Sequence, residues 1–548
     1  MNDPVDDSAS APDDLYIVSD LHLSMGRSPG EWTYKRLESF FYDAQFSRFV
    51  DHILRERRRR DRRVTLILGG DTLDFLTVTE VPSRQEALEE GIVVSGVMKR
   101  VGLSSSSRHA NWKLQRIVEG HPRFFEALGR LLANGNRIVV IAGNHDAELY
   151  WGRVRSTLSD VLLAAVEHVD PDADLEAVAQ RIEYRQWFYY EKGRIFFEHG
   201  NQYEASNSFR YNLCPEYLGR SRSPAGQLDL PVGSMFVQHI YNAVRRRSPY
   251  LSNMVSMEQY MSGVARLNLV EMLGVLFRRV PFFFQALRAT RLFATKAQHR
   301  CRRIHEYRLA ELAEHEALPA ETLKRIQDRR AMPDGMTKYH LAESILRPVI
   351  SKVIKYALFA LLGVFVWFLI FSLIQSTPWV AAGVFTKASF TALLAMATLV
   401  SFFVLFNRFF SRIREAPSGV PPEVYTAART IAQETQVPFV VMGHTHLAEV
   451  RPLDDRGTLF VDTGTWTSIS GAGDALWPSN RRFTFARLRD HQIDLLRWND
   501  VAGRVDEVFM FEDYQRKPGD VLFPEDPTQA VHLPRRTRVT VSGSDDVE

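Results

Sequence analysis

RIVVIAGNHD, residues Arg137–Asp146, is the stretch on which the fold turns. Its first half is an apolar run rich in β-branched residues, long enough for one buried strand. Its second half, Gly143-Asn144-His145-Asp146, is a tight polar loop loaded with metal-binding chemistry. The same shape occurs twice upstream, in Leu15–Asp20 and in Val64–Asp71 (VTLILGGD). Phe40–Arg60 and Pro122–Asn134 lie between these runs and read as helices. Apolar strands alternating with helices define an α/β sheet. Ligands in such sheets gather outside the carboxyl ends of the strands, and all three runs end there in Asp, Asn or His.

Further along, Tyr184–Gly200 reads as a β-hairpin turning at Lys192-Gly193 and ending on His199-Gly200. Strand patterns return at Pro438–Met442, Thr458–Val461 and Arg482–Leu488. The sheet is therefore split, and residues from about 215 to 415 interrupt it. A chain of 548 residues is too long for one compact core, so a main domain with insertions is expected. The net charge of +3 decides little about partners. Two cysteines, Cys214 and Cys301, cannot build a disulfide framework or a thiolate zinc site. Any metal must be held by His, Asp, Asn or Glu, and the expected compartment is reducing.

These signals divide the chain. Residues 1–14 are an acidic, Ser/Ala/Pro-rich disordered lead without signal-peptide character. Residues 15–215 and 415–500 form the split domain. Residues 216–350 are a helical, basic insertion, with Arg245-Arg246-Arg247, Arg278-Arg279 and aromatics such as Tyr241, Tyr250 and Phe282–Phe284. This insertion suits an anionic surface, a lid over the site, or a solvated helical extension; no nucleic-acid module is recognisable in it, and nucleic acid is not an expected partner. Residues 351–414 contain two charge-free runs, 356–375 and 388–406, each long enough for a membrane-crossing helix. Basic flanks lie on both sides (Arg347, Lys352, Lys355; Arg408, Arg412, Arg414). The expectation is a two-helix transmembrane hairpin in an inner or cytoplasmic membrane, its bilayer a partner and the catalytic domain facing the cytoplasm. Residues 501–548 are a C-terminal extension and tail.

Five motifs occur in order: Asp20-Leu21-His22; Gly70-Asp71 running on to Asp74; Gly143-Asn144-His145-Asp146; His199-Gly200; and Gly443-His444-Thr445-His446. Each closes an expected strand, so together they bring carboxylates, imidazoles and an amide to one edge of the sheet. A thiolate-free set of this kind suits Mn, Fe or Zn. As an ordered set it resembles the calcineurin-like metallophosphoesterase superfamily, with its D-x-H, G-D, G-N-H-[DE], H and G-H-x-H pattern. The likeness covers roughly residues 15–215 and 415–490.

That resemblance implies a four-layer α/β/β/α sandwich, here with a helical insertion and the transmembrane hairpin, and two divalent metal ions, Mn expected and Fe or Zn possible. Carried over by position, Asp20, His22 and His446 would hold one ion, and Asn144, His199 and His444 the other. Asp71 would bridge them. Two cations about 4 Å apart need a shared anion to screen their repulsion. His145 would serve as general acid, and Asp74 as the carboxylate that pairs with it. Glycines beside the ligands allow close backbone approach. Phe75 and Leu76 follow Asp74 where phosphoprotein phosphatases of this pattern carry Arg. SDLHL is similar to the UDP-diacylglucosamine hydrolases, which typically carry Arg where this chain has His145. The expected function is membrane-anchored hydrolysis of a phosphate mono- or diester, with a lipid-linked phosphate or pyrophosphate among the candidate substrates. Alternatives are a nuclease or cyclic-nucleotide phosphodiesterase, and a non-catalytic membrane scaffold.

Overall fold

The computed structural model describes residues 12–28, 30–217, 226–246, 294–333, 420–467, 482–508 and 539–540, with isolated positions at 279, 283 and between 361 and 397. The lead up to residue 11, much of the insertion and most of the tail lie outside these.

The strands are β1 Asp14–Val18, β2 Val64–Gly69, β3 Arg137–Ile141, β4 Ile182–Arg185, β5 Phe188–Glu191, β6 Ile195–Glu198, β7 Glu216–Tyr217, β8 Gln227–Leu228, β9 Phe439–Met442, β10 Glu449–Pro452, β11 Leu459–Asp462, β12 Thr484–Arg489, β13 Gln492–Asn499, β14 Arg504–Glu507 and β15 Val539–Thr540. One sheet runs β14-β13-β12-β1-β2-β3-β4, with β15 added on β13; a second runs β10-β11-β9-β6-β5; β7 and β8 form a separate ribbon. β1, β2, β3 and β4 are mutually parallel, as are β6, β9 and β11.

Strand periodicity builds the layers. Side chains alternate between the two faces of a strand. Tyr16 and Val18 of β1, Leu66 of β2 and Ile138 and Val140 of β3 pack on one face, against Phe46 and Phe49 of the helix Asp43–Arg60 and Leu128 of the helix Pro122–Ala133. Leu15, Ile17, Ile67 and Val139 point the other way and meet Phe197, Phe439, Val441 and Val461 of the second sheet. On that sheet's outer face Phe196, Val440 and Phe460 pack against helices Ala294–His315, Ala320–Gln327 and Pro422–Thr435. The order is helix, sheet, sheet, helix. With both faces of β1 covered, its side chains are all buried, and from Leu15 onward it reads as a continuous apolar run.

Ile182–Arg185 is no part of the hairpin; it pairs in parallel with β3 in the first sheet, and only β5 and β6 form the antiparallel pair. The 216–350 insertion contributes Leu309, Leu323 and Ile326 to the core of the outer helical layer. The transmembrane hairpin and the multi-pass membrane location are not upheld: among the described residues no helix is long and apolar enough to cross a membrane. A spanning helix needs about 20 consecutive apolar residues. Runs 356–375 and 388–406 fall mostly outside the described residues.

A buried ion cluster ties the loop after β1 to the first helical layer. His121 lies 3.0 Å from Asp43 Oδ1 and 3.2 Å from Glu38 Oε2. Glu38 also accepts the backbone N–H groups of Gly26 at 2.6 Å and Phe40 at 2.8 Å. Burial opposes charge on His121, but the two carboxylates outweigh it and raise its pKa to about 9. A raised imidazolium stabilises the fold fully below its unfolded pKa, near 6.5, and loses that contribution as pH climbs through about 9. We expect the unfolding free energy of the wild type, from urea titrations, to fall across that interval and that of His121→Gln to start lower, by about 3–5 kcal/mol, and stay flatter. Parallel pH slopes for the two proteins would contradict the assignment.

Candidate metal centre

The carboxyl ends of β1, β2, β3, β6 and β9 meet at one edge of the paired sheets, and the loops that follow them carry all nine residues singled out above. Three buried groups there could hold a metal ion: Asp20, His22 and His446; Asp71, His199 and His444; and His22, Asp74 and His145. They are contiguous. His446 Nε2 is 3.2 Å from Asp20 Oδ1 and 3.2 Å from His22 Nε2. Asp71 Oδ2 is 3.4 Å from His199 Nε2 and 3.8 Å from His22 Nε2, so this carboxylate stands between two of the groups. Asn144 follows Gly143 in the same loop, and its Oδ1 is buried without a hydrogen-bond partner.

The backbone is bent to make this convergence. Asp20, His22, Asp71, His444 and His446 have φ of 54, 55, 50, 71 and 61°. Side-chain-bearing residues occupy this left-handed region at a cost of about 1–3 kcal/mol each, and the surroundings must impose it. They do so through hydrogen bonds between loops: Asp20 N–H to Gly70 O at 3.1 Å, His22 N–H to Asp71 O at 2.8 Å, and His444 N–H to Asp20 Oδ2 at 2.9 Å. Asp146 fastens the remaining loop, its Oδ1 accepting Gly143 N–H at 2.6 Å and its Oδ2 accepting Thr72 N–H at 2.9 Å. Gly143 is required by space: a Cβ there would lie 2.2 Å from Asp71 Oδ1.

Electrostatics test whether these residues fit a cation. Burial works against ionised Asp20, but His446 and His199 outweigh it and hold its pKa at about 2. Burial is likewise overcome at Asp71, mainly by His199 and His145, and its carboxyl sits well below the usual range. Burial opposes charge on His199, yet Asp71 and Asp20 raise it to about 10. The carboxylates thus demand positive charge in the pocket, which protons on imidazoles or a bound cation can supply. His199 Nδ1 bonds the Gly69 carbonyl at 3.0 Å, which turns Nε2 towards Asp71, and that Nε2 has no hydrogen-bond partner. Buried, aimed and unpartnered donor atoms on Asn144 and His199 are what a cation site requires.

Asp74 and His145 sit beside this cluster. Asp74 Oδ1 accepts from His145 Nδ1 at 3.0 Å, and Oδ2 lies 3.6 Å from His22 Nδ1. Burial disfavours the His145 cation, but Asp74 and then Asp71 prevail and raise its pKa to about 9. Asp74 is held low against its own burial by His145.

Two contributors carry no sequence motif. Glu204 Oε2 lies 2.9 Å from His444 Nε2, and the same carboxylate accepts from Ser206 Oγ at 2.7 Å and Asn207 Nδ2 at 2.9 Å. This fixes the His444 ring and leaves Nδ1 as the ring nitrogen that could hold a metal ion. The helical segment Val232–Arg245, with a π-turn at Val237–Tyr241, packs on the site loops: Ser234 Oγ donates to Asn144 O at 3.2 Å and Asn242 Nδ2 to Leu76 O at 2.8 Å. Glu204→Gln is expected to weaken metal binding about 10- to 100-fold in equilibrium dialysis. Unchanged affinity with a lowered melting temperature would mean that Glu204 only supports the loop.

No family model, curated protein or solved structure matches this chain.

Proposed function

We propose that this chain is a metal-dependent phosphoesterase, holding two divalent cations and hydrolysing a phosphate mono- or diester. The observation that carries the reading is the convergence of Asp20, His22, Asp71, Asn144, His199, His444 and His446 at one sheet edge, with Asp71 standing between the two groups. Asp20, His22 and His446 would hold one cation and Asn144, His199 and His444 the other, with Asp71 shared. Oxygen and imidazole donors without thiolate favour Mn, Fe or Zn, and manganese is our choice. When bound, such a pair supplies charge neutralisation for a phosphoryl group and a lowered pKa for an attacking water.

The remaining work falls to the chain. His145 commits Nδ1 to Asp74, so Nε2 is the ring nitrogen that can hand a proton to the leaving oxygen. Asp74 stabilises the imidazolium and fixes its orientation. The backbone N–H of His145 donates to Asp71 Oδ1 at 2.8 Å, which links the acid's position to that of the shared carboxylate. The test is turnover of chromogenic phosphate mono- and diesters by protein reconstituted with Mn²⁺. The reading requires hydrolysis that chelation abolishes and Mn²⁺ restores. Turnover that is absent under every metal, or indifferent to chelation, would end it.

A further inference from the structure

The chain has 2 cysteines, far apart in sequence. The fold brings them into one small buried cluster. Cys214 ends the loop that begins at His199, and Cys301 lies on the helix Ala294–His315. Their residues are 1% and 3% exposed. Cys301 Sγ is 3.3 Å from the carbonyl oxygen of Glu216, two residues beyond Cys214. The Tyr150 hydroxyl donates to Glu216 Oε1 at 2.6 Å and lies 3.9 Å from Cys214 Sγ. Tyr150 and Glu216 thus join the surroundings of both thiols. A buried cysteine alone is a small inert hydrophobe, whereas two adjoining thiols can form a covalent link.

We propose that Cys214 and Cys301 are a modification site, forming a reversible intramolecular disulfide that fastens the loop running on from His199 to the helix Ala294–His315. The oxidant is a low-molecular-weight disulfide. The Cys214 thiolate attacks one of its sulfurs, breaking that S–S bond and releasing one thiol. The Cys301 thiolate then attacks Cys214 Sγ, forms the protein S–S bond and releases the second thiol. Two electrons pass from the protein sulfurs to the oxidant, and the two S–H protons end on the released thiols. The neighbouring Cys301 holds the Cys214 thiol below the ordinary thiol range, and Cys214 is assigned as the attacking group. Burial makes the first step slow and dependent on local opening of the loop.

The experiment incubates the full-length protein under native conditions with oxidised glutathione, followed by thiol counting and non-reducing peptide mass mapping. Both thiols are expected to disappear together, with a Cys214–Cys301 linked peptide, a melting temperature raised by several degrees and full reversal by dithiothreitol. Cys214→Ser and Cys301→Ser should lose the linked peptide and the thermal shift. Two thiols persisting in native protein that oxidise only after denaturation would overturn the proposal, as would linkages found only between chains. None of these readouts requires bound metal or a substrate, so the proposal stands or falls separately from the phosphoesterase reading.

Discussion

Asp71→Asn is expected to lower kcat/KM by about 10³-fold or more and to leave the protein folded with a reduced metal content. The substitution is nearly isosteric, so its effect isolates charge. Asp71 is 2% exposed, and its two oxygens have separate duties. Oδ1 accepts the His145 N–H at 2.8 Å, a bond that an amide oxygen can keep. Oδ2 faces His199 Nε2 at 3.4 Å and His22 Nε2 at 3.8 Å, and there the variant places an NH₂ donor. A donor cannot bind a cation, and one neutral oxygen cannot screen two. The Gly143 loop runs close beside Oδ1, where a Cβ on Gly143 would lie 2.2 Å from that oxygen. Elemental analysis and steady-state kinetics on the same preparation check this. Wild-type turnover with a full metal complement in Asp71→Asn would refute the role given to this carboxylate.

His145→Asn should behave differently. Metal content is expected to stay at the wild-type level, because His145 Nδ1 is committed to Asp74 and His145 is not among the residues proposed to hold the two cations. The kinetic loss should depend on the leaving group. For an alkyl phosphate, whose alkoxide must be protonated as it departs, we expect kcat to fall about 10²- to 10⁴-fold. For a nitrophenyl phosphate, which departs without help, the loss should be far smaller. A uniform loss across leaving groups would assign His145 to substrate or metal binding instead of proton transfer. Asp74→Asn should show the same leaving-group pattern more weakly, with some loss of metal affinity because Asp74 also faces His22 at 3.6 Å.

Much of this arrangement is legible in the sequence because strand ends announce themselves. Arg137–Ile141 is a strand, and its apolar run stops where the side chains stop being sandwiched between layers. The polar residues that follow β1, β2, β3, β6 and β9 all fall at one edge because those strands lie parallel within their sheets. Less legible is anything that depends on contacts between distant residues. Glu204 reaches His444 across most of the domain and has no spacing to mark it. Ser234 and Asn242 lie in a segment that reads as generic insertion, and only packing places them on the Asn144 and Leu76 backbones. The pairing of β4 with β3 was hidden because Tyr184 and Phe188 look like one continuous aromatic run, though the chain changes sheets between them. The hairpin expected at 356–375 and 388–406 falls mostly outside the described residues, among which no helix is long and apolar enough to cross a membrane. Cys214 and Cys301 illustrate a further limit, since sequence separation says nothing about two thiols brought together by a helix packing on a loop.

Anomalous diffraction from crystals of the full-length protein equilibrated with Mn²⁺ bears most directly on the metal centre. The account predicts two peaks about 4 Å apart, one among Asp20, His22 and His446, the other among Asn144, His199 and His444, with the Asp71 carboxylate between them. Ordered side chains at these positions with no anomalous density among them, in protein shown to retain manganese elsewhere, would contradict it.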